Sequence, residues 1–261
     1  LKDGIRQPQG MGELLLYGPE DRLRHGGNLV AEASPARLGD RIFISAGAGR
    51  IYGIDIKTKK IVWDFVTGTD IDGSTAISRD GKVFATIERQ YVPGPGGIFK
   101  FNPDRTGPAA VEWFLPTGSQ AFQGWEGGVI GTAALNDEYR LNRPDRPALF
   151  ASLAIDGQLY LGAQQELSGN HAYGPRHDGP YPTPKILAKL PVGSSISTPI
   201  FTDGDRLVAA TYNGVYLFQL TYDLSTASDP QAARAPNGQF YRVTVRELAR
   251  VAGGFEATPV V

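Results

Sequence analysis

A short motif, a hydroxyl residue followed by two small or apolar ones, recurs along the chain. Its copies are Ser34-Pro35-Ala36, Thr75-Ala76-Ile77, Thr132-Ala133-Ala134, Thr198-Pro199-Ile200 and Thr258-Pro259-Val260. The middle residues lie 41, 57, 66 and 60 positions apart. Such self-similarity restricts folding more than any single residue does. A repeat of roughly 40–50 residues is one supersecondary unit that cannot bury its apolar face alone and must stack on its neighbours. Polar insertions account for the longer intervals.

Three apolar, alternating runs follow each of the first four motifs. They are Arg41 to Ser45, Arg50 to Ile56 and Lys60 to Val66; Lys82 to Ile87, Gly97 to Asn102 and Val111 to Leu115; Ala148 to Ile155, Gly157 to Ala163 and Lys185 to Leu190; Arg206 to Tyr212, Gly214 to Leu220 and Tyr241 to Ala249. Tight-turn pairs join many of them, such as Asp80-Gly81, Asp156-Gly157, Asp203-Gly204 and Asn213-Gly214. With the motif strand this makes four strands per repeat, and four-stranded antiparallel sheets in series predict an all-β chain, a β-propeller. The blades are expected at about 27–68, 69–118, 124–193 and 194–253, with a further blade starting at 254–261. An arm at 1–26 carries one strand-like run, Glu13 to Tyr17. About four complete blades with orphan strands at each end would leave open sheet edges. The chain is therefore expected to be part of a larger propeller, or to have its edges covered by another chain.

The segment Gly53-Ile54-Asp55-Ile56-Lys57-Thr58-Lys59-Lys60-Ile61-Val62-Trp63 resembles the repeat of quinoprotein-type (PQQ-like repeat) propellers, whose pattern is A-x-D-x-x-T-G-K-x-x-W. Asp55, Thr58, Lys60 and Trp63 match; Gly53 and Lys59 depart. A looser copy runs through Asn102, Thr106, Gly107 and Trp113, and the Trp position of the next two repeats falls on Ala188 and Leu248. The matching residues have structural roles: Asp and Thr tighten a turn, and Trp packs between blades. The resemblance implies the non-catalytic branch, which includes outer-membrane assembly lipoproteins, and an extracytoplasmic place, the bacterial periplasm or cell surface. The enzymes of the family hold PQQ and calcium. No segment matches their site motifs, so no catalytic or cofactor-binding residue is carried over.

Composition removes several function classes. Net charge is −1, so no field draws in nucleic acid, and there are no cysteines for disulfides, thiolate metal sites or thiol nucleophiles. No apolar run is long enough for a membrane span. Two weak sets of metal-ligand types remain. Asp70 and Asp72 alternate before Gly73, half of a calcium loop. His171, His177 and Asp178 lie in the insertion Gln164 to Pro184. Both read as polar turns, and no bound metal is expected.

The insertions at Gln90 to Gly96, Asn136 to Pro147, Gln164 to Pro184 and Thr221 to Gln239 read as long loops, which on a rigid scaffold often bind. Tyr173, Arg176 and Tyr181 are the candidate interaction anchors, and excising Ser168 to Pro182 is expected to spare the fold. Trp125 is a candidate sugar-stacking residue. The expected function is a non-catalytic propeller that binds a protein partner or scaffolds an assembly. The alternatives are a fragment of a PQQ-dependent dehydrogenase and a glycan-binding module.

Overall fold

A computed structural model describes residues 31–259. The strand-like run Glu13 to Tyr17 and the last residue of the fifth motif, Val260, lie outside the described residues. Among the described residues, seventeen strands form four antiparallel sheets in chain order. The first holds β1 (Ala36–Leu38), β2 (Arg41–Ala46), β3 (Arg50–Asp55) and β4 (Lys60–Val66). The second holds β5 (Ala76–Ile77), β6 (Val83–Ile87), β7 (Gly97–Phe101) and β8 (Val111–Pro116). The third holds β9 (Ala134–Leu135), β10 (Leu149–Leu153), β11 (Gln158–Ala172) and β12 (Tyr181–Pro191). The fourth has five strands, β13 (Ile200–Thr202), β14 (Arg206–Thr211), β15 (Gly214–Ser225), β16 (Ala232–Arg234) and β17 (Phe240–Ala252), with β16 outermost. Helix among the described residues is one 3-10 turn at Gly107–Ala110.

The sheets stack face to face, and strand alternation decides which neighbour each side chain meets. In β6, Val83, Ala85 and Ile87 enter the core shared with the first sheet, while Phe84 enters the core shared with the third. In β7, Phe99 and Phe101 face the first sheet and Ile98 the third. Both faces are covered, which is why these strands read as continuous apolar runs. A third core joins the third and fourth sheets through Leu159, Leu161, Phe201 and Phe218. Serial four-stranded sheets packed in this way define a β-propeller.

The repeated hydroxyls link one blade to the next. Ser34 N donates to Ser74 Oγ (2.8 Å), Ser74 N to Thr132 Oγ1 (2.9 Å), Thr132 N to Thr198 Oγ1 (2.8 Å) and Thr198 N to Thr258 Oγ1 (3.2 Å). The second motif is thus Ser74-Thr75-Ala76, one residue earlier than its sequence suggests, and the spacings become 40, 58, 66 and 60. Thr75 instead donates its hydroxyl to Phe43 O at 3.0 Å.

The Asp/Thr/Trp motif has a structural role in the first blade. Asp55 Oδ1 accepts from Lys57 N, Thr58 N and Thr58 Oγ1, which closes the β3–β4 turn. Lys59, where the resembling pattern has Gly, stands at φ 57°, a conformation that glycine takes at less cost. Trp63 is buried between the first two blades, edge-on to Phe43 and Phe101, and its Nε1 donates to Arg105 O at 2.7 Å. Trp113 repeats this one blade later against Phe84 and Phe150, donating to Gln164 O at 3.0 Å. Leu248 does not take the Trp position. It is left out of the pairing at a bulge between Glu247 and Ala249 and is exposed.

Two expected loops are strands. Gln164 to Pro184 forms the outer part of the β11–β12 hairpin, in which bulges accommodate Pro182 and Pro184. Within Thr221 to Gln239, β15 runs on to Ser225 and β16 is added.

Candidate functional site

Two places carry more polar or exposed structure than the propeller frame needs. The first lies between the first two blades. Glu88 N donates to Asp70 O (3.3 Å) and Thr69 Oγ1 to Glu88 O (2.8 Å), which lays the segment 69–73 antiparallel along the end of β6. Ile71 and Ile87 point into the core between the first and second blades. By alternation, Asp70, Asp72, Thr86 and Glu88 share the opposite side. One carboxylate oxygen from each of Asp70, Asp72 and Glu88 lies within 4.8 Å of the others. Glu88 is only 2% exposed. Burial pushes its carboxyl up to about 9, helped by the charge of Asp72 and a hydrogen bond to it, then by Asp70 and Glu32. The Thr86 hydroxyl, on the same strand as Glu88, is fully buried with no hydrogen-bond partner. Ser45, at the corresponding place of β2, is likewise buried and unpartnered.

The second place is built from the long strands. The β11–β12 hairpin packs on β8 and on the β16–β17 strands of the fourth blade. Glu166 Oε1 accepts from Arg234 N (2.6 Å), and Lys185 Nζ donates to the carbonyls of Asp229 (2.8 Å) and Ala232 (2.6 Å). These bonds hold the two extensions side by side. A groove of about 610 Å³ runs between them, bordered by Leu115, Leu167, Pro184, Ile186 and Pro230. Leu167 and Leu224 are 49% and 67% exposed on these extensions, and Tyr173 is 59% exposed near the hairpin tip.

The candidate residues separate accordingly. Asp70 and Asp72 come together with Glu88, a ligand type the sequence reading missed. A carboxylate closing the apolar run Val83 to Ile87 was the available signal. His171 pairs across the hairpin with Pro182, whereas His177 sits at the tip with φ 57°. Asp178 accepts from Arg176 N (3.2 Å) and Tyr181 Oη (2.6 Å), the bonds of a tight turn. Tyr173 and Arg176 are exposed. Tyr181 is not an available anchor: it is 4% exposed, packs edge-on to Phe99 and belongs to the core between the first two blades. The hairpin tip is also tied down, since Gly94 N donates to Pro175 O at 2.8 Å. Excision of Ser168 to Pro182 would therefore remove core, contrary to the expectation for a loose loop. Trp125 is half-buried in a tight turn closed by hydrogen bonds between Phe122 and Trp125.

These sheets place the chain in the class of β-propellers. No family model matches it, and no curated protein does. Similar solved structures include the β-propeller domain of Cps50 (Swd1) from Myceliophteria thermophila, 13% identical with a TM-score of 0.46, covering 82% of this chain and 55% of that one. Hsv2 from Kluyvelomyces marxianus is 10% identical with a TM-score of 0.45, covering 84% and 60%. This chain thus spans a little over half the length of either structure.

Proposed function

We propose that this chain is a non-catalytic β-propeller that holds a protein partner as part of an assembly, and that it works outside the cytoplasm of a bacterium. The observation that carries this reading is the pair of hairpin extensions on the third and fourth blades. Four strands of ordinary length suffice for a blade, and β11, β12, β15 and β17 run well beyond that length; Tyr181 and Val243 pack into the core, and the remainder of the extensions is largely exposed. The extensions are braced by Glu166 and Lys185 rather than left mobile, which lowers the ordering cost of binding. They expose Leu167, Tyr173 and Leu224, and Leu167 borders a groove of mixed polar and apolar lining. A large apolar side chain held rigidly beside a concave surface is the usual anchor of a protein interface. With a net charge of −1 the chain offers nothing comparable to a polyanion. The likeness of Asp55 to Trp63 to the quinoprotein-type repeat supports the extracytoplasmic location.

The test is native purification of wild-type protein and of a Leu167→Asp, Tyr173→Ala double variant, with copurifying proteins identified by mass spectrometry. The expected result is one stoichiometric partner, lost from the variant while the melting temperature is kept. Retention of that partner at equal yield would refute the surface. Dye-linked alcohol or glucose oxidation appearing on addition of PQQ and calcium would refute the non-catalytic reading.

A further inference from the structure

Each of the first three blades presents one row of four paired residues, one from each strand, to the blade that follows it. In the first blade the row is Ala36, Phe43, Gly53 and Trp63, and Phe43 and Trp63 lie in the core shared with the second blade. In the second it is Ala76, Phe84, Lys100 and Trp113, with Phe84 and Trp113 packed against Phe150 and Tyr160 of the third. In the third it is Ala134, Ala151, Leu161 and Ala188, packed in the core that holds Leu207 and Tyr216 of the fourth. Every row starts two residues after a linking hydroxyl. The same register in the fourth blade gives Ile200, Val208, Leu217 and Ala249. All four are apolar, yet none joins a core among the described residues. Ile200, Val208 and Leu217 are half-buried and Ala249 is exposed. On the same face, two residues along the strands, Val215 pairs with Val251, which is 63% exposed.

We propose that this face of the fourth blade is an interface for a fifth blade of the same repeat, carried by the same polypeptide and started by Thr258. Two hydrogen bonds lead there. Thr198 N donates to Thr258 Oγ1 at 3.2 Å, the bond by which each earlier blade meets its successor. Phe255 N donates to Thr211 O at 3.0 Å, which repeats Val129 N to Ile87 O at 2.9 Å. Both donors stand three residues before a linking hydroxyl. Residues 253–258 therefore leave the fourth blade along the path that leads from the second blade into the third. Single apolar residues on a surface need no partner, whereas a contiguous apolar face marks an interface. This face also matches, position by position, a row that the molecule covers three times over. The occupant that fits it is a sheet whose second and third strands offer alternating apolar side chains, as Leu207, Ala209, Tyr216 and Phe218 do for the third blade. The interface shares no residue with the hairpin extensions, so it stands or falls separately from the partner surface proposed above.

The chain has no cysteine, so single-cysteine variants report on the face directly. Leu217→Cys, Ala249→Cys and the exposed control Val62→Cys are labelled with a maleimide in two proteins, this 261-residue chain and the complete gene product. In the complete product, Leu217→Cys and Ala249→Cys should label at least about tenfold more slowly than in the 261-residue chain, because a covered face reacts only when it opens locally. Val62→Cys should label equally in both, and the protection should not change on dilution. Equal labelling of Ala249→Cys in the two proteins would overturn the interface. Protection that is lost on dilution, together with a dimeric mass by light scattering, would overturn the occupant and give the face to a second copy of the chain. Melting curves show that each variant is folded, and Ala249→Cys, a small change at an exposed position, keeps the test if Leu217→Cys unfolds the blade.

Discussion

Replacing Trp63 by alanine tests how the blades are joined. The ring is 3% exposed and lies edge-on to Phe43 in its own sheet, 5.8 Å between centroids, and to Phe101 in the next, 5.6 Å. Removing a buried Trp costs about 3–5 kcal/mol through lost transfer energy and the cavity left behind. The truncation also leaves Arg105 O without the Nε1 donor at 2.7 Å, adding about 1–3 kcal/mol if water does not replace it. Trp63→Phe keeps much of the apolar area and loses the bond, so it should cost about 1–3 kcal/mol. Val62, the next residue along and 51% exposed, serves as the control, and Val62→Ala should stay within about 0.5 kcal/mol. At about 2–4 °C per kcal/mol for a domain of this size, Trp63→Ala should lower the melting temperature by about 6–20 °C from packing alone, and by up to about 32 °C if Arg105 O stays unpaired. Urea unfolding of the four proteins side by side supplies the free energies. A loss below 1 kcal/mol for Trp63→Ala, or an equal loss for Trp63→Phe, would refute the idea that this ring docks one blade on the next.

Three further outcomes are expected. Glu88→Gln should stabilise the protein increasingly as pH rises. Burial and the Asp72 charge lift the folded carboxyl to about 9 from an ordinary 4.5; the unfolded chain ionises above 4.5, so wild-type stability drops between those values by up to about 1.4 kcal/mol per pH unit. Melting curves of both proteins at pH 4.5 and 8 check the sign, with near equality expected at the lower pH. Tyr181→Ala should cost about 3–5 kcal/mol by urea unfolding because the ring is core, whereas Tyr173→Ala should stay within about 0.5 kcal/mol. Lys100→Met should cost about 1–3 kcal/mol in the same assay. The buried ammonium donates to Gln164 O at 3.0 Å and pairs with Glu112 at 3.0 Å, so its removal costs a charged hydrogen bond and a buried ion pair, while Gln164 O keeps the Trp113 donor at 3.0 Å and Glu112 keeps Lys82 at 3.2 Å.

The propeller was legible because its causes are local and repeated. Glycine turns such as Asp80-Gly81 and Asp156-Gly157 stand at φ 74° and 81°, and the alternation in Lys60 to Val66 matches the burial of Trp63 and Phe65. Where the reading slipped, two chemistries shared one sequence pattern. Ser74 and Thr75 are adjacent hydroxyls, and only the hydrogen bond from Ser34 N distinguishes the linking one. Leu248 appeared to occupy the Trp position because the count ran back from the next motif, and that connection varies in length; the bulge that precedes Trp63 and Trp113 puts Ala249 there instead. Gln164 to Pro184 read as a loop because Pro182 and Pro184 cannot donate ladder hydrogen bonds. The hairpin accepts them because register shifts interrupt that ladder.

The acidic site was half legible, and the reason lies in how blades pack. Asp70 and Asp72 are close in sequence and stood out there. The third carboxylate, Glu88, lies on another strand. It reaches them because the segment joining one blade's outer strand to the next blade's inner strand runs back along the second strand, bonded through Glu88 N and Asp70 O. The same bond recurs between Gly128 and Ile155 and between Ser194 and Tyr212, so it specifies which residues face each other wherever the repeat occurs. Aligning the blades on Ser34, Ser74, Thr132 and Thr198, rather than on their apolar runs, brings Glu88 opposite Asp70 and Thr86 opposite Asp72. It also separates the two kinds of conspicuous residue in this chain. Trp63 and Trp113 occupy one repeated position and do the same work in successive blades, so they belong to the architecture. Asp70 and Glu88 occupy positions that the third and fourth blades fill with Gly, Ser, Ile or Tyr, whereas the place of Asp72 is acidic again at Glu32 and Glu256, two residues before the first and fifth linking hydroxyls.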